Sequence, residues 1–472
     1  MTAQTILPAN TLSTGGFQVD NSAMFNSGDS AYMTKEQGTA TVATKYTLSM
    51  WIKRSKLGAE MNLIGVSSGN TIELIKFNAD NSLRWYNRDA SSNAAENTAT
   101  GLFSDTSAWY HFVFVYDSTQ SGAANQRKFY LNGVNQTWGS ANAVEANAVP
   151  GLNLDGADVN IGAESSPSNY FGGYMSEVNF IDGQRLTADS FGESDEDSGI
   201  WKPIDASGLT FGNNGFYLDF KASGNLGNDA NGGTDFAETN FAATDQGIDT
   251  CTNNFPTLNI LAPSASGLDI RQGNTLVFND NNVNIFQTVP ATMTITPTGK
   301  FYWEIFCKGV WGTAACEAHG IADVDNMIQT LTGQASDGAT SFAWQNNASF
   351  RSNGGTVGST TWAVTYATND YLMFALDNAN GALYAGKNGT WLNSGDPTSG
   401  ASKTGALAVT VGLNYAPHSE VKYGSDKPFY NFGSPYYAIS SGNADGDGIG
   451  NFEYAVPSGY FALCTKNLAE YG

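Results

Sequence analysis

The chain is predicted to be all-β, with two antiparallel β-sandwiches in tandem, and two observations carry that reading. The first is a repeated hairpin. Lys128-Phe129-Tyr130-Leu131-Asn132-Gly133-Val134-Asn135 and Ala382-Leu383-Tyr384-Ala385-Gly386-Lys387-Asn388-Gly389-Thr390-Trp391 each place Asn-Gly at a tip. Asn-Gly adopts the positive φ angles of a type I′ turn, whose twist matches a two-stranded ribbon. Each hairpin follows an apolar strand led by aromatics, Trp109–Asp117 in the first half and Tyr371–Asp377 in the second. The second observation is composition: 12% aromatic residues and 53 glycines stand against only 14% charged residues, whereas long surface helices need more Lys, Glu and Arg.

The 472 residues suit two domains. Residues 1–22 read as a polar N-terminal arm whose one apolar knot is Ile6-Leu7-Pro8, and residues 23–200 as the first sandwich. Within it, Tyr46–Lys53 alternates, with Tyr46, Leu48, Met50 and Ile52 inward and Thr47, Ser49, Trp51 and Lys53 outward, the pattern of a half-buried strand. The segment Leu83–Arg88 puts Arg84, Tyr86 and Arg88 on one face. Trp109–Tyr116 is apolar on both faces, as in a central strand covered on both sides, so His111 within it is a core residue. Gly172–Gly183 gives a closing strand, and Leu186–Asp189 begins a short helical turn. Residues 201–270, rich in Gly, Asn and Asp, read as a connector with short strands such as Gly215–Phe220, and residues 271–472 as the second sandwich, with Lys300–Phe306 its clearest strand.

The formal charge of −22 excludes sequence-independent binding to phosphate backbones, which needs clustered Lys and Arg, so no nucleic-acid partner is expected; the acidity suits a saline medium. No basic opening and no long apolar stretch follow Met1, and no run reaches the ~18 apolar residues of a membrane span, so neither a secretory leader nor membrane insertion is expected. The cysteines Cys251, Cys307, Cys316 and Cys464 have no C-x-x-C spacing, and three histidines assemble no zinc motif. They read as buried thiols, with a Cys307–Cys316 bridge across a hairpin as the alternative.

Three patterns could carry chemistry. Glu193-Ser194-Asp195-Glu196-Asp197 superficially resembles the paired carboxylates of sandwich glycosidases, but its flanks, Phe191-Gly192 and Ser198-Gly199, make it a solvated acidic loop. There is no Gly-x-Ser-x-Gly elbow. Asn443-x-Asp445-x-Asp447-Gly448-x-Gly450-Asn451-x-Glu453 has the alternating oxygens of a calcium loop, with its last Glu one position early; it is either a weak calcium site or a solvated turn, and no other cofactor is implied. Arg84, Tyr86 and Arg88 offer guanidinium forks beside an aromatic face, which suits an acidic sugar, or else they form a strand face paired with acidic neighbours. The loops around Trp311 and Trp344 are the alternative ligand surface.

The Tyr46–Lys53 and Trp109–Asp117 strands, the Phe129–Val134 hairpin and the segment from Asn160 to Val178 together resemble a laminin-G-like, concanavalin A-type jelly roll. Gly299–Ile305, His319-Gly320-Ile321 and Gly386–Trp391 resemble a SPRY domain, also a concanavalin A-type sandwich. The segments Asn213–Phe220, Leu226–Asp229 and Asp245–Asn259, with the ending from Gly442 to Thr465, resemble structural proteins of tailed bacteriophages from aquatic hosts. That resemblance implies a non-enzymatic virion component, in capsid decoration, a tail fibre or a short spike. It further implies host-surface glycan binding, other virion proteins as partners, and release from the host cytoplasm by lysis. A symmetric homo-oligomer, with a trimer favoured, is expected, the arm serving as the contact. No heptad run or repetitive shaft is present, so the chain is a compact knob rather than a long fibre. The rival readings are a polysaccharide depolymerase and a secreted lectin.

Overall fold

A computed structural model describes residues 16–196, 198–262, 267–279, 286–312, 315–325, 340–352, 355–357 and 362–472. The chain is all-β and divides into two compact units at Asn253/Asn254. Most of the arm, residues 1–15, lies outside the described residues.

The first unit is two antiparallel sheets packed face to face. One runs Val134–Asn135, Arg127–Leu131, Trp109–Asp117, Lys45–Arg54, Gly173–Asp182, Ser22–Phe25, Gln246–Gly247, with Phe216–Leu218 also on Gly173–Asp182. The other runs Trp138–Ala141, Ala94–Leu102, Ser82–Arg88, Thr71–Phe77, Met61–Ser68, Asp158–Ile161, Tyr32–Glu36, Ala237–Thr239. Period-2 alternation sends Tyr46, Leu48, Met50 and Ile52 of one sheet against Ile75, Phe77, Leu83 and Trp85 of the other, and the aromatic strand adds Phe112, Phe114 and Tyr116 to the same core. Asn132-Gly133 turns the first predicted hairpin with φ of 45° and 80°. At Gly65 the loop after Ile161 crosses so closely that an added Cβ would lie 2.4 Å from the Ala163 carbonyl oxygen.

The predicted half-buried strand is covered on both faces. A second apolar cluster of Val113, Val115, Ile181, Ala188, Phe191, Phe211 and Tyr217 seals the outer face of the first sheet. Trp51 stacks on His111 at 4.6 Å, and His111 stacks on Trp201 at 6.0 Å. His111 is a core residue: its Nδ1 accepts from Trp201 Nε1 at 2.9 Å, which leaves Nε2–H to donate to Ser49 Oγ at 2.8 Å, and burial pulls its pKa down to about 3.

The segment read as a connector is different in kind. Phe216–Leu218, Ala237–Thr239 and Gln246–Gly247 all add strands to the first sandwich, and Phe216, Leu218, Phe220, Leu226 and Phe236 enter its core. Its Gly and Asn residues satisfy turns between these short strands instead of forming a tether; Asp229, for example, accepts from the backbone of Tyr217 and Asn231. Two tryptophan-flanked anchors fix its end: Lys53 Nζ meets Asp249 Oδ2 at 2.7 Å with both side chains buried, and Trp109 Nε1 donates to Asp249 Oδ1 at 3.1 Å. The last arm residues join them, Val19 N donating to Thr252 Oγ1 and Ser22 Oγ to the Asp249 carbonyl.

The second unit pairs a sheet ordered Leu268–Arg271, Leu276–Asn279, Pro428–Asn431, Lys300–Cys307, Tyr371–Asp377, Ala382–Lys387, Thr390–Trp391 with another ordered Gln287–Pro290, Tyr415–Val421, Glu317–Asp323, Ser341–Gln345, Phe350–Ser352, Gly355–Val357. Trp303, Trp344, Phe374 and Tyr430 lie in its core. The Asn388-Gly389 turn repeats the left-handed geometry of the first hairpin, with φ of 49° and 82°. All four cysteines are buried and no disulfide joins them.

Removing one partner of a buried ion pair leaves an uncompensated charge, which costs about 3–5 kcal/mol. Asp249→Ala is therefore expected to lower the unfolding free energy of the first unit by that amount in urea titrations, and the double change Lys53→Met with Asp249→Leu to recover most of it. A single variant as stable as the parent would show that the 246–253 segment is dispensable to the sandwich.

Candidate functional site

At one end of the first sandwich the Ser82–Arg88 strand turns into Ala94–Leu102, and the turn faces the loop 143–150. Between them lies a pocket of about 220 Å³. Arg88, Asp89, Asn93 and Glu145 bring polar side chains to it, while Tyr116 and Pro150 supply flat apolar surface. The turn is rigid because Asp89 organises it: Oδ1 accepts from the backbone of Ser91 and Asn93 at 2.8 and 2.9 Å, and Oδ2 from Asn93 Nδ2 at 3.2 Å.

Beneath the pocket a buried cation holds the wall together. Arg127, 0% exposed, donates to the Trp85 carbonyl at 3.1 Å, to Asn87 Oδ1 at 2.9 Å, to Asn97 Oδ1 at 2.6 Å and to the Asn142 carbonyl at 2.7 Å. Burial pulls its pKa down to about 10, so it stays charged at neutral pH. Its counter-charge in the same interior is Glu73, which accepts from Tyr46 Oη, from Trp85 Nε1 at 3.0 Å and from Leu152 N at 2.9 Å. Gln126 adds a two-way amide pair with the backbone of Val144, and Tyr116 Oη reaches the Ala148 carbonyl at 3.2 Å. The loop is thus held in place by hydrogen bonds from the sandwich interior. Asn87 lines the pocket with its Nδ2 buried and without a hydrogen-bond partner.

The predicted face is real in geometry: Arg84, Tyr86 and Arg88 are half-buried on one side, and Leu83, Trp85 and Asn87 are buried on the other. The three are not equivalent. Arg84 pairs with Glu96 at 2.6 Å and lays its guanidinium 5.3 Å from the Tyr86 ring, so acidic pairing accounts for that end of the face. Arg88 Nε donates to the Asn70 carbonyl at 2.7 Å, and of the three only Arg88 reaches the pocket. Sequence reasoning missed Asp89, Asn93, Glu145 and Arg127. The Asp89-x-x-x-Asn93 spacing of a side-chain-braced turn was the available signal, as was an arginine opening an aromatic strand.

The other candidates separate. Glu193 and Asp195 stand at an exposed turn paired with Lys202 at 3.5 and 3.1 Å, and Asp197 lies outside the described residues. Trp344 is buried: its Nε1 donates to the Val364 carbonyl at 2.9 Å and Tyr366 packs edge-on at 4.9 Å, so it is core and not ligand surface. Trp311 is 55% exposed. The weak calcium candidate is a self-braced turn. In the Asn443, Asp445, Asp447, Asn451 and Glu453 segment, Asp445 spends both oxygens on Asp447 N, Ile449 N, Ala462 N and Asn467 Nδ2, Asp447 accepts from Tyr471 Oη, and Glu453 accepts from Ser440. No cluster of three or more His, Cys, Asp or Glu suited to a metal occurs among the described residues.

Two buried carboxyls respond to pH. Burial pushes Glu177 up to about 7 despite the Tyr217 hydroxyl donating at 2.6 Å, and pushes Glu304 up to about 7 despite donation from Tyr302 Oη, Glu453 N and Tyr454 N. In the second core His319 Nδ1–H donates to Tyr430 Oη, which itself donates to the His418 carbonyl, so Nε2 accepts a hydrogen bond from the Glu317 carboxyl; burial raises Glu317, which keeps its proton, and lowers His319 to about 3, making the pair a neutral hydrogen bond.

Residues 26–190 match the family model of the concanavalin A-like lectin/glucanases superfamily, of laminin G type, so the first sandwich carries a concanavalin A-like domain. No curated protein matches the chain. Among solved structures, the SPRY domain of human HERC1 is 10% identical and covers 37% of this chain and 96% of its own, with a TM-score of 0.29. The SAP-like pentraxin of Limulus polyphemus is 16% identical over 36% of this chain and 78% of its own, at 0.28. Domain 4 of AbnA, a GH43 extracellular arabinanase from Geobacillus stearothermophilus solved with arabinotriose, is 18% identical over 39% and 83%, at 0.27. These partial likenesses are of fold alone.

A carboxyl whose folded pKa lies near 7, above ~4.3 in an unfolded chain, contributes stability that is full below ~4.3 and lost as pH rises through 7. The buried neutral histidines act oppositely and only below ~6.5. Between pH 6.5 and 8 the raised carboxyls therefore all act in one direction, Glu177 and Glu304 each losing about 1 kcal/mol or about 2–4 °C of thermal midpoint, with Glu317 adding to the fall in the second unit. Calorimetry should show the midpoint falling over that range and Glu177→Gln flattening the fall in the first unit. A midpoint that rises from pH 6.5 to 8 would contradict this account.

Proposed function

We propose that this chain is a non-enzymatic carbohydrate-binding protein, with the pocket at the Asn87–Asn93 turn as its sugar site, serving as a surface component of a bacteriophage particle. The single observation that carries the binding reading is that pocket: one arginine, two carboxylates and two asparagines around flat apolar surface, held rigid by the buried Arg127 and Glu73, on a domain matching the lectin/glucanase superfamily. Its volume of about 220 Å³ is below the ~300–1,000 Å³ of drug-sized sites and suits one sugar ring. Hydroxyls bond both donors and acceptors, so a mixed rim fits them, and Arg88 favours a ring bearing a carboxylate.

A binding role is favoured over hydrolysis because Asp89 is committed to its turn through both oxygens, leaving no free carboxylate pair at the rim. The virion reading rests on the sequence resemblance of the 213–259 and 442–465 segments to phage structural proteins. It brings with it the expected symmetric oligomer, virion partners and a host-surface glycan as ligand.

Binding to an array of bacterial surface polysaccharides tests the site. Arg88→Ala is expected to weaken retained ligands at least tenfold, and Tyr86→Ala by less, because Arg84 already covers that ring. A reducing-end assay on the same ligands should show no release of sugar. Unchanged affinity in Arg88→Ala, with the thermal midpoint preserved, would move the site away from this pocket, and sugar release would favour the depolymerase.

A further inference from the structure

One face of the second unit concentrates positive charge in a chain of net charge −22. Residues 254–472 contain nine Lys and Arg, and four of them, Arg271, Lys308, Lys422 and Lys427, gather there. Each lies over an aromatic ring. Lys308 Nζ is 5.6 Å from the Phe429 ring, Lys422 Nζ 5.3 Å from Phe286 and 5.6 Å from Tyr423, and Phe278 carries both Lys427 Nζ at 5.4 Å and Arg271 at 4.9 Å. The rings adjoin because Leu276, two residues before Phe278, pairs with Phe429 across the sheet. Beside them Trp311 stands in solvent with its ring 5.5 Å from Tyr423.

This surface is built, not incidental. Buried Asp426 accepts from Trp311 N at 2.8 Å and from Tyr423 N at 3.0 Å, tying the two aromatic loops to one carboxylate. Lys427 N donates to the Gly309 carbonyl at 2.8 Å and Lys308 N to the Lys427 carbonyl at 3.0 Å. Gly309 permits the approach, since an added Cβ would sit 2.3 Å from the Ser425 carbonyl oxygen. Among the described residues Arg271 pairs with Asp269, while Lys308, Lys422 and Lys427 pair with no carboxylate. In a chain with twice as many acids as bases, three unneutralised ammonium groups on one face repel one another and attract an anionic partner.

We propose that this face is a second binding site, independent of the pocket in the first sandwich, and that its ligand is an acidic polysaccharide. Trp311 and Tyr423 offer the flat apolar surface on which the C–H face of a sugar ring packs, and the lysines meet its carboxylates. Lysine suits this better than arginine, as a mobile point charge that follows a polymer without demanding one fixed geometry. The overall negative field disfavours nucleic acid, whose dense charge feels the whole protein.

The test uses the full chain with three probes of matched length: alginate, which is a polyuronate; dextran, which is neutral; and oligothymidylate. Alginate is expected to bind by calorimetry, to shift tryptophan fluorescence through Trp311, and to weaken with added salt, since exposed charges are screened over ~8 Å at physiological ionic strength. Trp311→Ala should weaken it at least tenfold and remove the fluorescence shift. The triple change Lys308→Gln, Lys422→Gln, Lys427→Gln should likewise abolish the fluorescence shift, a readout specific to this face because it reports Trp311. No alginate binding by the parent chain, equal binding of dextran, tighter binding of oligothymidylate, or alginate affinity insensitive to both Trp311→Ala and the triple change would each overturn the proposal. Circular dichroism and the thermal midpoint check that these exposed substitutions leave the fold intact.

Discussion

A lysine ammonium cannot stay charged inside a β-sandwich unless a carboxylate is brought to it, and Lys53 makes that demand at the centre of the first unit. Burial alone lowers its pKa, and Asp249, nearly two hundred residues later, opposes that loss. The strand carrying Lys53 therefore has an outer face that only the later chain can close. From Gln184 to Thr252 the polypeptide crosses back over it, adding Phe216–Leu218, the Trp201 stack on His111 and the Tyr217 bond to Glu177. Coverage on both faces also explains why the unit buries so many titratable groups, and why their protonation follows desolvation more than neighbouring charge.

The same economy shapes the pocket. A binding loop with few apolar residues has no core of its own, so its position must come from hydrogen bonds supplied by the sandwich. Arg127 does this by spreading its guanidinium over carbonyls and amides of three neighbouring segments, with Glu73 as interior counter-charge. The rim residues are then free to present side chains outward from a fixed backbone, which is the arrangement a weak, polar ligand such as a sugar requires, because little binding energy is left over for ordering a loop.

The two units handle charge in opposite ways. In the first, cations are mostly absorbed: Lys53 by Asp249, Lys76 by Glu60, Arg84 by Glu96, Arg127 by its buried network. In the second, three lysines have no carboxylate partner among the described residues and sit on aromatic rings whose faces they shield from water along their aliphatic stems. One design gives a rigid polar pocket and the other a tolerant charged surface.

Alternation, Asn-Gly turns and the doubly apolar strand at Trp109–Tyr116 were enough to read an all-β chain and the orientation of Arg84, Tyr86 and Arg88, because side-chain direction in a strand is a local property with a period of two. The burial of His111 was legible for the same reason. What no local pattern could reveal is which faces are covered by distant chain. Thr47, Ser49, Trp51 and Lys53 read as solvent-facing and are buried, and a Gly- and Asn-rich stretch read as a tether is instead strand and core. Nor could spacing tell that the acidic loop at Asn443–Glu453 turns its oxygens toward its own backbone, Asn467 and Tyr471, or that Trp311 is exposed while Trp344 is sealed. Interactions between residues a few positions apart were enough to specify the class of fold; the pocket and the cationic face arise only on folding, since each is assembled from segments whose separation along the chain leaves no periodic trace.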